Sequence, residues 1–209
     1  MPHPTIHANR APTGFSLIEL LVVVAVIALL VTLTIPAFNA ITNAGSIEHS
    51  ADQIAGACGL ARQTAVSKNR SVEVRFYEVP AEGWPTDYRA FQLFEIGDSG
   101  EATALTKVLT FKLPAILSRD TGLSTLLADA RTKVWTQNDP QVALPRAGTT
   151  YECRAFRFRP NGTTDLPVDT KWHLTVVDAK KPGSAAQPPD NFATVWVEPA
   201  TGAVKILRP

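Results

Sequence analysis

Neither sign of charge is in surplus in this chain. Lysine and arginine number 20 and aspartate and glutamate 19, a formal net charge of +1, so nothing in the balance points to a polyanion such as nucleic acid. Recognisable catalytic signatures are missing too: there is no P-loop, His-Glu-x-x-His, Gly-x-Ser-x-Gly or Cys-x-x-Cys, and an enzyme is not expected. His49, Ser50 and Asp52 are close in sequence, but neighbours on a helix point apart and form no triad. His3 and His7 have the helical spacing of metal ligands, yet Pro2 and Pro4 oppose a helix there. No metal, cofactor or small-molecule substrate is expected, and no internal repeat is visible. Cysteine occurs only 2 times. Cys58 shares a helical stripe with Ile47, Ala51, Ile54, Ala61 and Ala65, while Cys153 alternates with Tyr151 and Ala155, opposite Phe156 and Phe158. Both read as small packing residues rather than a bridge, although the even count permits one.

What the chain does have is one unbroken apolar run. From Gly14-Phe15-Ser16-Leu17-Ile18-Glu19, residues 15–35 carry no charge after Glu19 and only Thr32 and Thr34 as further hydroxyls. About 20 apolar residues cross a bilayer as a helix, so the run reads as a membrane segment. A secretory h-region is shorter, about 7 to 15 residues, and ends at a small-residue cleavage site. Here Thr34-Ile35-Pro36-Ala37-Phe38 carries the helical pattern onward, so the run is retained and any processing lies before it. Arg10 precedes the run and no Lys or Arg follows until Arg62, which agrees with a cytoplasmic N-terminus and an exported C-terminal part.

Glu19 is the exception inside the run, since a charge at mid-bilayer costs about 3 kcal/mol on insertion scales. Two readings remain open on the residues alone. Ser16 and Glu19 have the spacing of a capping box, in which the Glu side chain reaches back to a free N–H at the helix start. Alternatively, Glu19 meets a positive charge from a partner, either a basic side chain of another chain or a newly made N-terminal amine.

Beyond residue 36 the helical pattern continues to about residue 69, with the stripe of Ile47, Ala51, Ile54, Cys58, Ala61 and Ala65 marking one buried face. Pro36, Gly45, Gly56 and Gly59 weaken it, and a bend or local melting over 36–45 is expected. Arg62, Lys68 and Arg70 read as a solvated helix end. The period then changes to alternation. Strands are expected over 71–79, 88–96, 103–113, 115–118, 152–159, 172–178, 192–198 and 203–207. A turn-rich loop covers 80–87, an insertion 121–150 and a flexible loop 179–191. Val72, Val74 and Phe76 fall on one face of the first strand, and His173 reads as a surface residue of its strand. The expected fold class is α+β: a long N-terminal transmembrane helix continuing as a stalk that packs on a C-terminal antiparallel β-sheet or sandwich head.

The segment Gly14 followed by Phe15-Ser16-Leu17-Ile18-Glu19-Leu20 resembles the class III signal of type IV pilins and of the pseudopilins of type II secretion. The resemblance implies cleavage by a prepilin peptidase between Gly14 and Phe15, methylation of the Phe15 amine, a role for Glu19 in subunit registration during assembly, and a helix-kinking Pro36. It favours the partner reading of Glu19, with capping able to coexist. The order of pieces, from Ala61-Arg62-Gln63-Thr64-Ala65-Val66 through Phe158-Arg159-Pro160-Asn161-Gly162 to the strand after Thr201-Gly202, is similar to the minor pseudopilin H and FimT branch. The signal together with the long proline-containing head is also similar to the Verru_Chthon cassette protein D family.

The implied organisation is a leader at 1–14, a transmembrane helix at 15–36, an amphipathic stalk at 37–70 and a β-rich head at 71–209. The implied partners are prepilin peptidase, other pilin-like subunits and inner-membrane lipid. The implied place is the inner membrane, crossed once, with the head periplasmic or extracellular. The alternative is a DNA-binding minor pilin of an uptake system, but the end Val204-Lys205-Ile206-Leu207-Arg208-Pro209 has only two cations where such a binder needs a denser cluster.

Overall fold

The computed structural model describes residues 16–135, 143–144, 146–149 and 151–209, with side chains described outside 33–44, 133–135 and 152. Two compact units divide the chain, Met1–Ile41 and Thr42–Pro209. One long helix, α1 (Leu17–Lys68), is followed by β1 (Ser71–Ala81), β2 (Trp84–Ile96), β3 (Ala102–Ala104), β4 (Leu109–Thr110), β5 (Ala115–Leu117) and a short helix α2 (Thr125–Ala128). Then come β6 (Lys133–Trp135), β7 (Glu152–Phe158), β8 (Trp172–Asp178), β9 (Phe192–Val197) and β10 (Val204–Leu207). The class is α+β, as the change from helical to alternating period requires.

In the second unit the expected stripe of α1 is buried: Ile47, Ala51, Ile54, Cys58, Ala61 and Ala65 lie in one apolar cluster with Val72, Val74 and Phe76 of β1 and Leu174, Val176, Val195 and Val197 of β8 and β9. Small residues at four of these six helix positions let the helix backbone approach the strands. The helix stops where Asn69 takes a left-handed φ of 53° and the Arg70 N–H reaches the Ala65 carbonyl at 3.2 Å. This is the six-to-one bond that closes a helix at a left-handed residue.

All strand pairs are antiparallel, and they form two sheets, one ordered β3-β2-β1-β7-β6 with β4 also on β2, the other β10-β9-β8-β5. The choice between one sheet and two is thereby settled in favour of two, both contributing to the core that the helix stripe enters.

The loop expected over 80–87 is instead a two-residue turn. Ala81 pairs with Trp84 around Glu82-Gly83, Gly83 has φ of 72°, and Pro80 falls at the irregularity between Val79 and Ala81, where its missing N–H costs no rung. The single strand expected over 103–113 is two short pieces, β3 and β4. Between them the Thr106 hydroxyl accepts the Leu93 N–H at 3.1 Å in place of a backbone carbonyl, so the ladder breaks.

The far face of the first sheet carries a second apolar cluster. Tyr77, Val79, Ala90, Phe94, Ile96 and Cys153 are covered there by Leu144 and Tyr151, with the Tyr77 and Tyr151 rings edge to face at 5.1 Å. Leu144 of the expected insertion therefore serves in the lid of that cluster together with Tyr151 just beyond it, while Leu126 and Leu127 of α2 join the main core. Cys58 and Cys153 are both buried, in different clusters, and no bridge joins them.

Candidate functional site

The start of α1 is built by a local exchange of hydrogen bonds. The Ser16 N–H donates to Glu19 Oε2 at 2.9 Å, the Ser16 hydroxyl to the same oxygen at 3.0 Å, and the Glu19 N–H to Ser16 Oγ at 3.3 Å. This is the reciprocal capping box, which satisfies N–H groups that the first helical turn leaves without partners. Gly14 and Phe15 lie outside the described residues, and the side chain of Pro36 is likewise not described.

Around this cap the helix is apolar on every side. Leu17 is 83% exposed, Ile18 69%, Leu20 62%, Val22 53% and Val23 48%, positions that together circle the helix axis. A helix apolar all round belongs inside a core or a membrane, because water facing it on all sides forfeits the whole hydrophobic gain. Among the described residues no helix is long and apolar enough to cross a membrane. The segment expected to do so, 15–36, lies partly outside the residues whose side chains are described.

Among the other candidates, Arg62 and Lys68 stay exposed, as at a solvated helix end. Arg62 Nε donates to the Gly162 carbonyl at 3.1 Å, Lys68 pairs with Glu95 at 2.6 Å and Arg70 with Asp98 at 3.2 Å, so the basic end of α1 is tied to its own strands and turns. Of the two C-terminal cations, Arg208 pairs with Glu48 at 2.8 Å and with Asp52 at 3.5 Å, which leaves no basic cluster at the chain end. Ser50 is buried and donates to the Ser46 carbonyl at 2.7 Å, while His49 is exposed, so these two do not meet Asp52 in a triad. No group of residues able to hold a metal ion occurs among the described residues, and His3 and His7 lie outside them.

His173 is half-buried rather than a plain surface residue. Its Nε2 lies 3.1 Å from the Gly122 carbonyl and its Nδ1 3.3 Å from Thr125 Oγ1. Across the strands it faces Trp196, which the sequence reading did not single out. The signal was present in the alternation of β9, where Ala193, Val195 and Val197 turn inward and Trp196 outward.

Residues 9–35 match the prokaryotic N-terminal methylation motif. The match is confined to the start of the chain. The matched span includes Gly14, Phe15 and Glu19, so the capping box of α1 sits inside the motif. Among solved structures, the minor pseudopilin EpsH of the Vibrio cholerae type 2 secretion system aligns at 12% identity over 78% of this chain and 98% of its own, with a TM-score of 0.43. The type IV minor pilin FimU of Pseudomonas aeruginosa aligns at 13% identity over 81% of this chain and 96% of its own, with a TM-score of 0.46. No curated protein matches the sequence.

Proposed function

We propose that this chain is a pilin-like subunit, made as a membrane-anchored precursor, cut between Gly14 and Phe15 by a prepilin peptidase, methylated on the new Phe15 amine, and packed through its apolar helix into a filament. The observation that carries the reading is a helix with exposed Leu, Val and Ile on all sides and one carboxylate at its start, within residues that match the methylation motif. Residues 15–36 are the anchor, the N-terminus is cytoplasmic, 37–70 is the stalk and 71–209 the head on the far side of the inner membrane. Pro36 is the kink in the rod. The order of pieces in the sequence, similar to the minor pseudopilin H and FimT branch, supports reading it as a minor subunit of a type II secretion pseudopilus or a type IV pilus-like filament.

The physics of assembly follows from the two charges. Cleavage creates a cationic amine at Phe15, and burying it against Glu19 of a neighbouring subunit satisfies two charges that are each costly alone in lipid. Glu19 can leave its cap because Ser16 still accepts the Glu19 N–H. The partners are the peptidase, other pilin-like subunits and lipid. Co-expression with a prepilin peptidase tests the reading: N-terminal sequencing of the product is expected to begin at Phe15, and a chain that still begins at Met1 sinks it.

A further inference from the structure

Trp196 stands on the outer face of the sheet β10-β9-β8-β5, away from the helix. The register places His173 of β8 directly across from it on one side and Lys205 of β10 on the other. Val195 and Val197 are fully buried beneath, so the strand that carries the half-buried Trp196 is anchored in the core.

Two cavities share this indole as a wall. One, about 280 Å³, is bounded by Trp196 with Lys171, His173, Thr194 and Leu207. The other, about 150 Å³, is bounded by Trp196 with Glu198, Thr201 and Lys205. Each cavity holds one exposed lysine, and neither lysine has an ion pair among the described residues. The walls are fixed rather than floppy: the His173 ring lies between Gly122 and Thr125, and Thr194 Oγ1 is 2.9 Å from Thr175 Oγ1.

We propose that this face binds a linear acidic saccharide, a chain of sugar rings bearing carboxylates. An amphipathic indole offers an apolar platform on which a pyranose ring lies, with polar groups at its rim to fix orientation. Lys171 and Lys205 stand one in each cavity and meet carboxylates on either side of that ring. Glu198 and the threonine hydroxyls meet sugar hydroxyls, which donate and accept in turn. The same Glu198, with only two lysines against it, opposes a polyphosphate, whose binding grows with dense cationic charge. Charge complementarity therefore selects a sparsely charged, hydroxyl-rich chain over nucleic acid. The inference does not depend on how the N-terminus is processed.

Full-length protein in detergent micelles is titrated with oligogalacturonate, with a neutral maltooligosaccharide and with single-stranded oligothymidylate, following intrinsic tryptophan fluorescence and calorimetric heat. Saturable binding of oligogalacturonate is expected, weakened at least about tenfold by Trp196→Ala, as for a central aromatic anchor. The double substitution Lys171→Gln with Lys205→Gln touches only exposed side chains, and it is expected to weaken binding several-fold and to flatten its salt dependence. Absence of saturable binding to the unaltered protein overturns the proposal. So does unchanged affinity in the double variant, equal affinity for the neutral sugar, or tighter binding of oligothymidylate than of oligogalacturonate.

Discussion

At the residue scale, the chemistry of single groups follows from where the fold leaves them. Cys58 lies at 0% exposure against the strands, and burial pushes its thiol from 9.0 up to about 12. The folded value lies above the unfolded one, so the stabilising contribution is complete below pH 9 and declines as pH rises from about 9 towards 12, where only the unfolded thiol has ionised. Its expected share of the slope is up to about 1.4 kcal/mol per pH unit, measured by urea unfolding at a series of alkaline pH values as the difference between the parent and Cys58→Ala. Native Cys58 is also expected to resist thiol reagents at pH 8 until the chain unfolds; rapid labelling in the folded state would contradict its burial. Glu73, at 3% exposure, is held differently, between Arg75 Nε at 2.5 Å and Arg157 Nε at 2.6 Å. Arg75 lies over the Phe94 ring at 4.2 Å. The alternation of β1 showed that Glu73 and Arg75 leave the helix face, but not that Arg157 of β7 and the Phe94 ring of β2 would meet them there.

At the scale of elements, α1 is one helix whose residues meet two kinds of surroundings. Over 45–68 its stripe was legible in the sequence, because apolar and small residues recur every three or four positions. Ile54→Ala removes a fully buried side chain from that stripe and is expected to cost about 2 to 5 kcal/mol. Leu60→Ala, on the 49% exposed side of the same helix, is expected to stay within about 0.5 kcal/mol. Equal thermal shifts for the two variants would put the helix in the wrong rotation. The tie between this helix and the strands was not legible. Gly202 has φ of 64°, and an added Cβ there would strike the Gly162 carbonyl oxygen that also accepts from Arg62. Two turns and a helix distant in sequence thus meet at one oxygen. The turn between β1 and β2 reads longer in the sequence than it is for a related reason: prolines near a turn look like a loop, and only the partner strand shows that Pro80 sits where no N–H is wanted.

At the scale of the whole molecule, the proposed assembly predicts a separation of steps. Glu19→Ala is expected to be cleaved and to partition into the membrane fraction like the parent, yet to be missing from sheared or cross-linked filaments. Normal incorporation of that variant returns Glu19 to its cap with Ser16 alone. By itself, the sequence determined the helix-then-strands order, the buried face of α1 and the match to the methylation motif. Each of these is written in neighbouring residues, through periodicity or through a short motif. Only the tertiary structure decided that there are two sheets, that Leu144 and Tyr151 close a second cluster, that Arg208 is tied to Glu48 and Asp52, and that His173, Trp196 and Lys205 form one row. Those outcomes depend on register and on contacts between distant segments. Side-chain alternation fixes which face a residue takes but not which strand lies beside it.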